Sequence, residues 1–328
     1  MTRACQSRAL AVGAAAILAL CLLVLVAVQP AEAAFPGANG KVFFESTRTG
    51  SSQIFSMNPN GSEQTNITRD RTLNQANPAV SPNGRLIAYQ YAREVWVMKV
   101  DGTNKRRVVA NAGTDPTPSW SPNGKKIVFS KNRSDIWVVN ADGTGQKQLT
   151  FTPNHQEYDP AYSPDGTKIA YTLSGSGGLC NGTCIYSMSA GGKGQRNLTP
   201  EKNVKCADGT SFSHDVVSQH ASWSPNGSRI AFQGAGGCTA EGSVTGGLNI
   251  WRMNPDGSAK RQLTNDENTQ DMQPAYSPDG KKIAFVSNRD SKAAFPQELY
   301  TMNASGSGIR RLTANGAFAG HPDWQPRR

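Results

Sequence analysis

The segment Pro274-Ala-Tyr-Ser-Pro-Asp-Gly280, followed by Ile283-Ala-Phe285, decides the fold because its pattern occurs four more times in the chain. The other copies are Pro78-Ala-Val-Ser-Pro-Asn-Gly84, Pro118-Ser-Trp-Ser-Pro-Asn-Gly124, Pro160-Ala-Tyr-Ser-Pro-Asp-Gly166 and Ala221-Ser-Trp-Ser-Pro-Asn-Gly227. In each copy a Pro-Asp-Gly or Pro-Asn-Gly turn separates two apolar stretches, which is typical of two antiparallel strands joined by a tight turn.

Each copy continues with a third strand, a second turn and a short fourth strand. The third strands carry an aromatic second residue: Val95-Trp96, Ile136-Trp137, Ile185-Tyr186, Ile250-Trp251 and Leu299-Tyr300. Four short antiparallel strands cannot bury both of their faces alone, so the units must stack on one another. Radial stacking of such units gives a β-propeller.

The two ends of the chain complete the count of units. The first copy, from Lys41-Val-Phe-Phe44, lacks a leading strand, and the C-terminal His321-Pro-Asp-Trp-Gln-Pro326 supplies one. The sequence therefore predicts an all-β, six-bladed β-propeller of four-stranded antiparallel blades over residues 34–328. The N- and C-terminal strands share one blade, which closes the ring and hides its edges.

This repeat resembles the WD-like repeats of the TolB-type β-propeller family. The block Ser277-Pro-Asp-Gly-Lys-Lys-Ile-Ala-Phe285 is close to the family consensus, and the resemblance covers residues 40–328. It implies a propeller fold and partners in the cell envelope. TolB also has an α/β domain before its propeller. The repeats here begin a few residues after a predicted signal, so the role of that domain is not carried over.

The N-terminal residues are typical of an export signal. Arg3 and Arg8 precede an apolar run at 9–28, and Ala31-Glu-Ala33 offers a cleavage site. We predict a signal peptide over residues 1–33, with an uncleaved membrane anchor as the alternative. We expect a protein that is secreted or located in the periplasm or cell envelope, and that contacts the membrane only through an uncleaved signal, if at all.

The chain is basic. Its formal net charge of +10 becomes +9 without residues 1–33, which contain two arginines and one glutamate. The basic residues are spread over turns and outer strands, as in Lys125-Lys126, which favours a solvated surface. Anionic wall polymers or a membrane surface would suit this charge. Without a concentrated basic stripe, nucleic acid is not an expected partner of an exported protein. We expect a monomer.

Four cysteines remain after the signal: Cys180, Cys184, Cys206 and Cys238. In an exported protein such cysteines favour disulfides. The preferred pairs are Cys180–Cys184 and Cys206–Cys238, although two other pairings are possible. A metal site combining cysteine with His214 or His220 is the alternative.

Uneven spacing of the repeats reveals insertions at about 173–184, 200–219 and 234–248, and a further one at about 287–297. The order of strands places all of them on the face opposite the Pro-Asp-Gly turns. All four cysteines lie in the first three insertions. This insertion-rich face is the predicted contact surface.

On the same face, the residue that starts each inner strand occupies an equivalent place around the channel mouth. These residues are Asn77, Thr117, Asp159, His220, Gln273 and His321. A hydrated polar mouth is ordinary for a propeller, and a ligand site or divalent-cation site is the functional hypothesis. This hypothesis is motivated by the positions of Asp159 and His220 on adjacent blades. His321 lies two blades further on.

The sequence contains no Gly-x-Ser-x-Gly elbow, His-Glu-x-x-His pair, phosphate loop or dinucleotide fingerprint. We therefore assign no catalytic residues and no cofactor, and predict a binding module for an envelope protein or a wall glycan. The alternative is a propeller-only, metal-assisted enzyme that acts on a polysaccharide or anionic substrate at the channel mouth.

Overall fold

The computed structural model describes residues 36–70, 72–175, 180, 182–200, 203–205, 211–213, 217–235, 247–266, 269–290 and 297–327. Within these ranges the chain forms six four-stranded antiparallel sheets. They are the six blades of a β-propeller, as the repeat pattern predicts. Within these ranges, no helix is long and apolar enough to cross a membrane.

The blades follow one another along the chain, and blades 2 to 6 each begin with their innermost strand. Blade 1 contains β1 (Ala38–Thr49), β2 (Ser51–Met57) and β3 (Thr65–Asn66). Blade 2 contains β4 (Gln75–Val80), β5 (Leu86–Tyr91), β6 (Glu94–Lys99) and β7 (Arg106–Val109). Blade 3 contains β8 (Ser119–Trp120), β9 (Lys126–Lys131), β10 (Asp135–Asn140) and β11 (Lys147–Gln148).

The second half of the chain repeats the plan. Blade 4 contains β12 (Gln156–Tyr162), β13 (Lys168–Gly175), β14 (Gly182–Ser189) and β15 (Arg196–Asn197). A two-stranded hairpin of β16 (Asn203–Lys205) and β17 (Ser211–Ser213) follows. Blade 5 contains β18 (Ser218–Trp223), β19 (Ile230–Ala235), β20 (Leu248–Met253) and β21 (Arg261–Gln262). Blade 6 contains β22 (Met272–Tyr276), β23 (Lys282–Ser287), β24 (Glu298–Asn303) and β25 (Arg310–Arg311).

The last strand, β26 (Ala319–Arg327), is the innermost strand of blade 1. It pairs antiparallel with β1, with Val42 opposite Trp324 and Ala38 opposite Arg327. The predicted closure of the ring by both termini is therefore confirmed. The hairpin β16–β17 was not predicted, because its residues fall in the insertion at 200–219 that the sequence marks only as a loop.

Two kinds of turn define one face of the ring, which we call the turn face. In the first kind the backbone N–H of Gly84 donates to the carbonyl of Ser81 at 2.8 Å, and the same bond recurs in blades 3 to 6. Gly84 adopts a φ of 68°, which is why the turn requires glycine there. The second kind joins the two outer strands of each blade. Loops between the two middle strands, and connections between blades, form the opposite mouth face.

The core lies between blades. On β1, Phe43 and Phe44 are adjacent residues on opposite faces of the sheet, and both are buried. Phe44 packs in a cluster with Val286 of blade 6, and Phe43 in a cluster with Ile87 of blade 2. Both faces of a blade are therefore covered, which explains the near-continuous apolar runs of the middle strands.

Blades 1, 3 and 5 carry a tryptophan at the same position of the innermost strand, and its indole bonds to the preceding blade. Trp120, Trp223 and Trp324 donate from Nε1 to the carbonyls of Ala79, Ala161 and Ala275, at 3.0, 3.2 and 3.1 Å. Blades 2, 4 and 6 carry Val80, Tyr162 and Tyr276 at this position. The six blades thus alternate between two types.

The residue before each tryptophan bonds to the following blade. Ser119 Oγ, Ser222 Oγ and Asp323 Oδ2 accept the backbone N–H of Tyr162, Tyr276 and Val80, at 3.4, 3.0 and 2.6 Å. Each blade of the tryptophan type is therefore bonded on both sides, and the ring is built from three similar pairs of blades.

Candidate functional site

Five of the six predicted mouth residues share an unusual backbone conformation. Asn77, Asp159, His220, Gln273 and His321 have φ between 46° and 55°. Each lies at an irregularity in the pairing of its innermost strand with the next strand. Such φ values are rare for residues with a side chain, and they concentrate at functional sites.

The preceding blade stabilises this strained conformation. Each of the five backbone N–H groups donates to a side-chain oxygen there, at 2.8–3.3 Å. The acceptors, in the same order, are Glu45 Oε2, Thr117 Oγ1, Thr172 Oγ1, Gln233 Oε1 and Gln273 Oε1. The irregular strand pairing would otherwise leave each of these backbone N–H groups without an acceptor, and the side-chain oxygen supplies one.

Thr117 differs from the other five. Its φ is not in the left-handed region, which in this blade is occupied by Asp115 at 53°. Thr117 lines the channel and accepts the N–H of Asp159 through Oγ1 at 3.0 Å. All six predicted residues line the channel. Thr117 supports a neighbour through a hydrogen bond and does not share the strained conformation.

Two imidazole–carboxylate pairs face one another in the mouth. His220 Nε2 lies 3.1 Å from Asp159 Oδ2, and His321 Nδ1 lies 3.3 Å from Glu45 Oε1. Neither contact is an aligned hydrogen bond, because Asp159 Oδ2 and His321 Nδ1 have no aligned partner among the described residues. The other ring nitrogen of His220, Nδ1, also has none there. The two rings are 5.9 Å apart, so the pairs form one cluster.

The two histidines differ in their electrostatic surroundings. Burial lowers the pKa of His220, although Asp159 partly opposes this effect. Burial also disfavours the charged form of His321, but the attraction of Glu45 outweighs it and raises the pKa of His321. Both side chains remain 22% and 26% accessible within the channel. The mouth thus holds one imidazole that stays neutral and one that gains a proton more readily.

Gln273 fixes the tautomer of the neutral form of His321. Its Oε1 accepts the backbone N–H of His321, so its amide nitrogen, 2.8 Å from His321 Nε2, must donate to the ring. The ring proton then lies on Nδ1, the nitrogen nearest Glu45. Protonation of His321 would require this amide to reorient, because Nε2 would become a second donor.

A further acid lies deeper in the channel. The channel forms a cavity of about 190 Å³, and its wall below the mouth is a ring of small residues. They are Ala79, Ser119, Ala161, Ser222 and Ala275, with Asp323 in the sixth place. Burial raises the pKa of Asp323 to about 7, against two backbone N–H groups, of Val80 and Trp324, that donate to it.

Glu45 and Asp323 were missed by the sequence analysis. Glu45 follows the apolar run of the second strand, where the other blades have Gln90, Ser130, Thr172, Gln233 and Val286. Asp323 stands where the other copies have alanine or serine. Aligning the six repeats column by column would have singled out both, because each is the one charged residue of its column.

The insertion-rich face contains the predicted disulfide between Cys180 and Cys184. Both half-cystines are buried against blade 4. Cys206 and Cys238 lie outside the described residues, as do most of the insertions at 200–219 and 234–248 and His214. Their pairing therefore remains a prediction.

The described residues contain no group of three His, Cys, Asp or Glu side chains arranged to hold a metal ion. The mouth instead offers carboxylates, imidazoles and amides within a few ångströms of one another. Such a ring of donors and acceptors suits a polar ligand, for example an extended peptide or a sugar.

A family model described as the TolB beta propeller domain matches residues 26–150, 77–217 and 209–328. The chain belongs to this family. Among curated relatives, it is 30% identical over 135 residues to a "Protein TolB homolog" of Chlorobium luteolum, which covers 40% of the chain and 30% of that protein. It is 29% identical over 126 residues to a "Tol-Pal system protein TolB" of Anaeromyxobacter dehalogenans, which covers 37% and 28%. The chain thus spans less than a third of these relatives.

Solved structures share the fold. TolB from Acinetobacter baumannii superposes with a TM-score of 0.67 and 18% identity, over 90% of this chain and 68% of that one. A putative TolB from Agrobacterium tumefaciens gives 0.60 and 21% identity, over 88% and 99%. An oligogalacturonate lyase in complex with manganese gives 0.54 and 16% identity, over 85% and 75%. At these identities the likeness concerns the fold alone.

Proposed function

We propose that this propeller is a binding module of the cell envelope that captures a partner protein at the mouth face. Five strained polar residues converge there, and this observation carries the proposal. Each left-handed residue costs about 1–3 kcal/mol of stability, which a purely structural hub could avoid by placing glycine there. The Tol-Pal name of a relative that covers part of the chain agrees with an envelope protein as partner.

The chemistry of the mouth fits a polar segment of such a partner. The pairs Asp159–His220 and Glu45–His321 offer acceptors and donors side by side, and Gln273 adds an amide. A chain inserted into the channel could exchange hydrogen bonds with all of them. Export, secretion and a cleaved signal over residues 1–33 belong to the same proposal.

The test separates binding from stability. We replace His220 and His321 with glycine, which removes the two imidazoles and relieves the strained backbone. We expect the melting temperature to stay or rise, and capture of a defined protein from native envelope extract to fall at least tenfold. Asn132→Gly is the matched control, since Asn132 also has a left-handed φ, of 56°, but is exposed away from the channel.

Equal capture by the wild-type protein and the His220→Gly/His321→Gly variant would contradict the proposal. Retention of wall-glycan fragments, with no captured protein, would support the glycan as partner instead. The metal-assisted enzyme is tested on the same sample, because a stoichiometric transition metal in the purified protein would favour it.

A further inference from the structure

The turn face carries most of the exposed positive charge of the part of the chain that the structure describes. Fifteen exposed lysines and arginines lie in or next to its turns, and every blade contributes at least one. They are Arg85, Lys99, Lys105, Arg106, Lys125, Lys126, Lys147, Lys168, Lys193, Arg196, Arg229, Arg261, Lys281, Arg310 and Arg327. Six exposed acids accompany them: Glu63, Asp101, Asp142, Asp165, Asp256 and Asp279.

Most of the acids on the turn face already serve their own turns. Asp101, for example, accepts the backbone N–H and the hydroxyl of Thr103 at 2.9 and 2.6 Å. Asp142 and Asp256 bind Thr144 and Ser258 in the same way. None of the fifteen bases forms an ion pair among the described residues, so their charge is not cancelled locally.

The mouth face is the opposite case. Two of its arginines pair with carboxylates, Arg133 with Asp115 at 3.1 Å and Arg289 with Asp271 at 2.8 Å. Arg69 and Arg93 are exposed there and form no ion pair among the described residues. Arg133 also lies over the ring of Tyr158. Among the described residues, the exposed positive charge is therefore concentrated on the turn face, although the sequence shows it only as scattered basic residues.

The N-terminal segment enters the propeller at this same face. Pro36 lines a surface cavity with Pro225 and Pro278, which belong to turns of blades 5 and 6. Next to it, Asn39 Oδ1 accepts the backbone N–H of Asp279 at 3.2 Å. Only residues 29–35 separate the apolar run at 9–28 from Pro36. Seven residues span at most about 25 Å, so the apolar run is attached close to the turn face.

We propose that the turn face is a docking surface for an anionic phospholipid membrane. Each exposed base near a negatively charged leaflet adds a favourable electrostatic contribution, and many of them together hold a protein at the surface. The apolar run, during export or as an anchor, brings the membrane to this face and not to the mouth. A soluble anionic polymer shares the charge but does not explain the position of the N-terminus.

This arrangement extends the proposed function without depending on it. With the turn face on the membrane, the mouth face points away from it, and a partner can enter the channel while the propeller is docked. Loss of capture at the mouth would leave the docking proposal intact, and the reverse also holds.

The test uses the exported protein and vesicles of phosphatidylcholine with or without about 30% phosphatidylglycerol. We expect anionic lipid to raise the bound fraction at least tenfold at low salt, and about 0.5 M NaCl to abolish the increase, because salt screens exposed charges. The triple variant Lys125→Gln, Lys168→Gln and Lys281→Gln, on three different blades, should bind anionic vesicles at least fivefold more weakly. Any contribution of an uncleaved apolar run is equal in all variants.

The matched control removes three charges from the mouth side, in Arg69→Gln, Arg93→Gln and Lys131→Gln. It has the same net charge as the turn-face variant, and we expect its vesicle binding to stay within twofold of wild type. Equal losses in both variants would overturn the proposal, since net charge alone would then explain the binding. Binding to soluble polyphosphate but not to anionic vesicles would also overturn it. Melting temperatures of all variants verify that they are folded.

Discussion

Asp323 shows how one residue can distinguish one blade from its equivalents. In blades 3 and 5 a serine hydroxyl accepts the N–H of the next blade, whereas in blade 1 a carboxylate does so. The carboxylate satisfies the same donor but places a titratable group inside the channel. Since burial raises its pKa to about 7, the folded state binds a proton that the unfolded chain releases near pH 4.

This difference makes stability depend on pH. The stabilising contribution of protonated Asp323 is complete below about pH 4 and is lost as the pH rises through about 7. Asp323→Ser, which copies blades 3 and 5, removes this dependence. We expect the free energy of unfolding of the wild type, relative to this variant, to fall by about 2–4 kcal/mol between pH 4 and pH 8. Urea unfolding at several pH values measures it, and parallel pH profiles would contradict the assignment.

At the scale of the element, β26 joins the two ends of the chain. It contributes the innermost strand of blade 1, the mouth residue His321 and the indole of Trp324, which is 2% exposed and packs among residues of blades 1 and 6. Its Trp324 and Asp323 bond to blades on both sides. Without it, β1 would present an unpaired edge.

Deletion of residues 321–328 should therefore destabilise the whole ring. Loss of one buried tryptophan alone costs about 3–5 kcal/mol, and the lost strand pairing adds to it. Since domains of this kind have only about 5–15 kcal/mol of stability, we expect the truncated protein to be largely unfolded at 37 °C. Circular dichroism during heating measures this. Removal of Arg328 alone is the control, and an unchanged melting temperature after the eight-residue deletion would show that β26 does not close the ring.

At the scale of the molecule, the six blades form three pairs. Trp120, Trp223 and Trp324 each occupy the same place in their pair and donate to an alanine carbonyl of the preceding blade. Because a buried carbonyl without a donor is costly, Trp→Phe at each place should lower the free energy of unfolding by a similar amount, about 1–3 kcal/mol.

Tyr276→Phe, at the equivalent place in a blade of the other type, is the control for these tryptophan variants. We expect it to change the free energy of unfolding by less than about 0.5 kcal/mol. Chemical denaturation of the four variants provides the comparison. Strongly unequal effects among the three tryptophans would contradict the threefold arrangement.

The repeat made most of this architecture predictable. A motif that occurs five times, together with the two ends of the chain, predicts the number of blades, the face of each turn and the equivalent positions that line the channel. A binding role for the six residues at those positions stays a prediction. Contacts between side chains at non-equivalent positions of the repeat could not be predicted in the same way. Glu45 meets His321 across 276 residues, and the pairing depends on side-chain length and on a bulge that no local pattern encodes.

The exchange of strands in blade 1 has a consequence for when folding can finish. Residues near position 40 must wait for residues near position 325, which are synthesised much later. A partly made chain therefore holds an open arc with an exposed sheet edge at either end. The ring cannot close until Ala319–Arg327 have been made, and a chain released before that point keeps its unpaired edges.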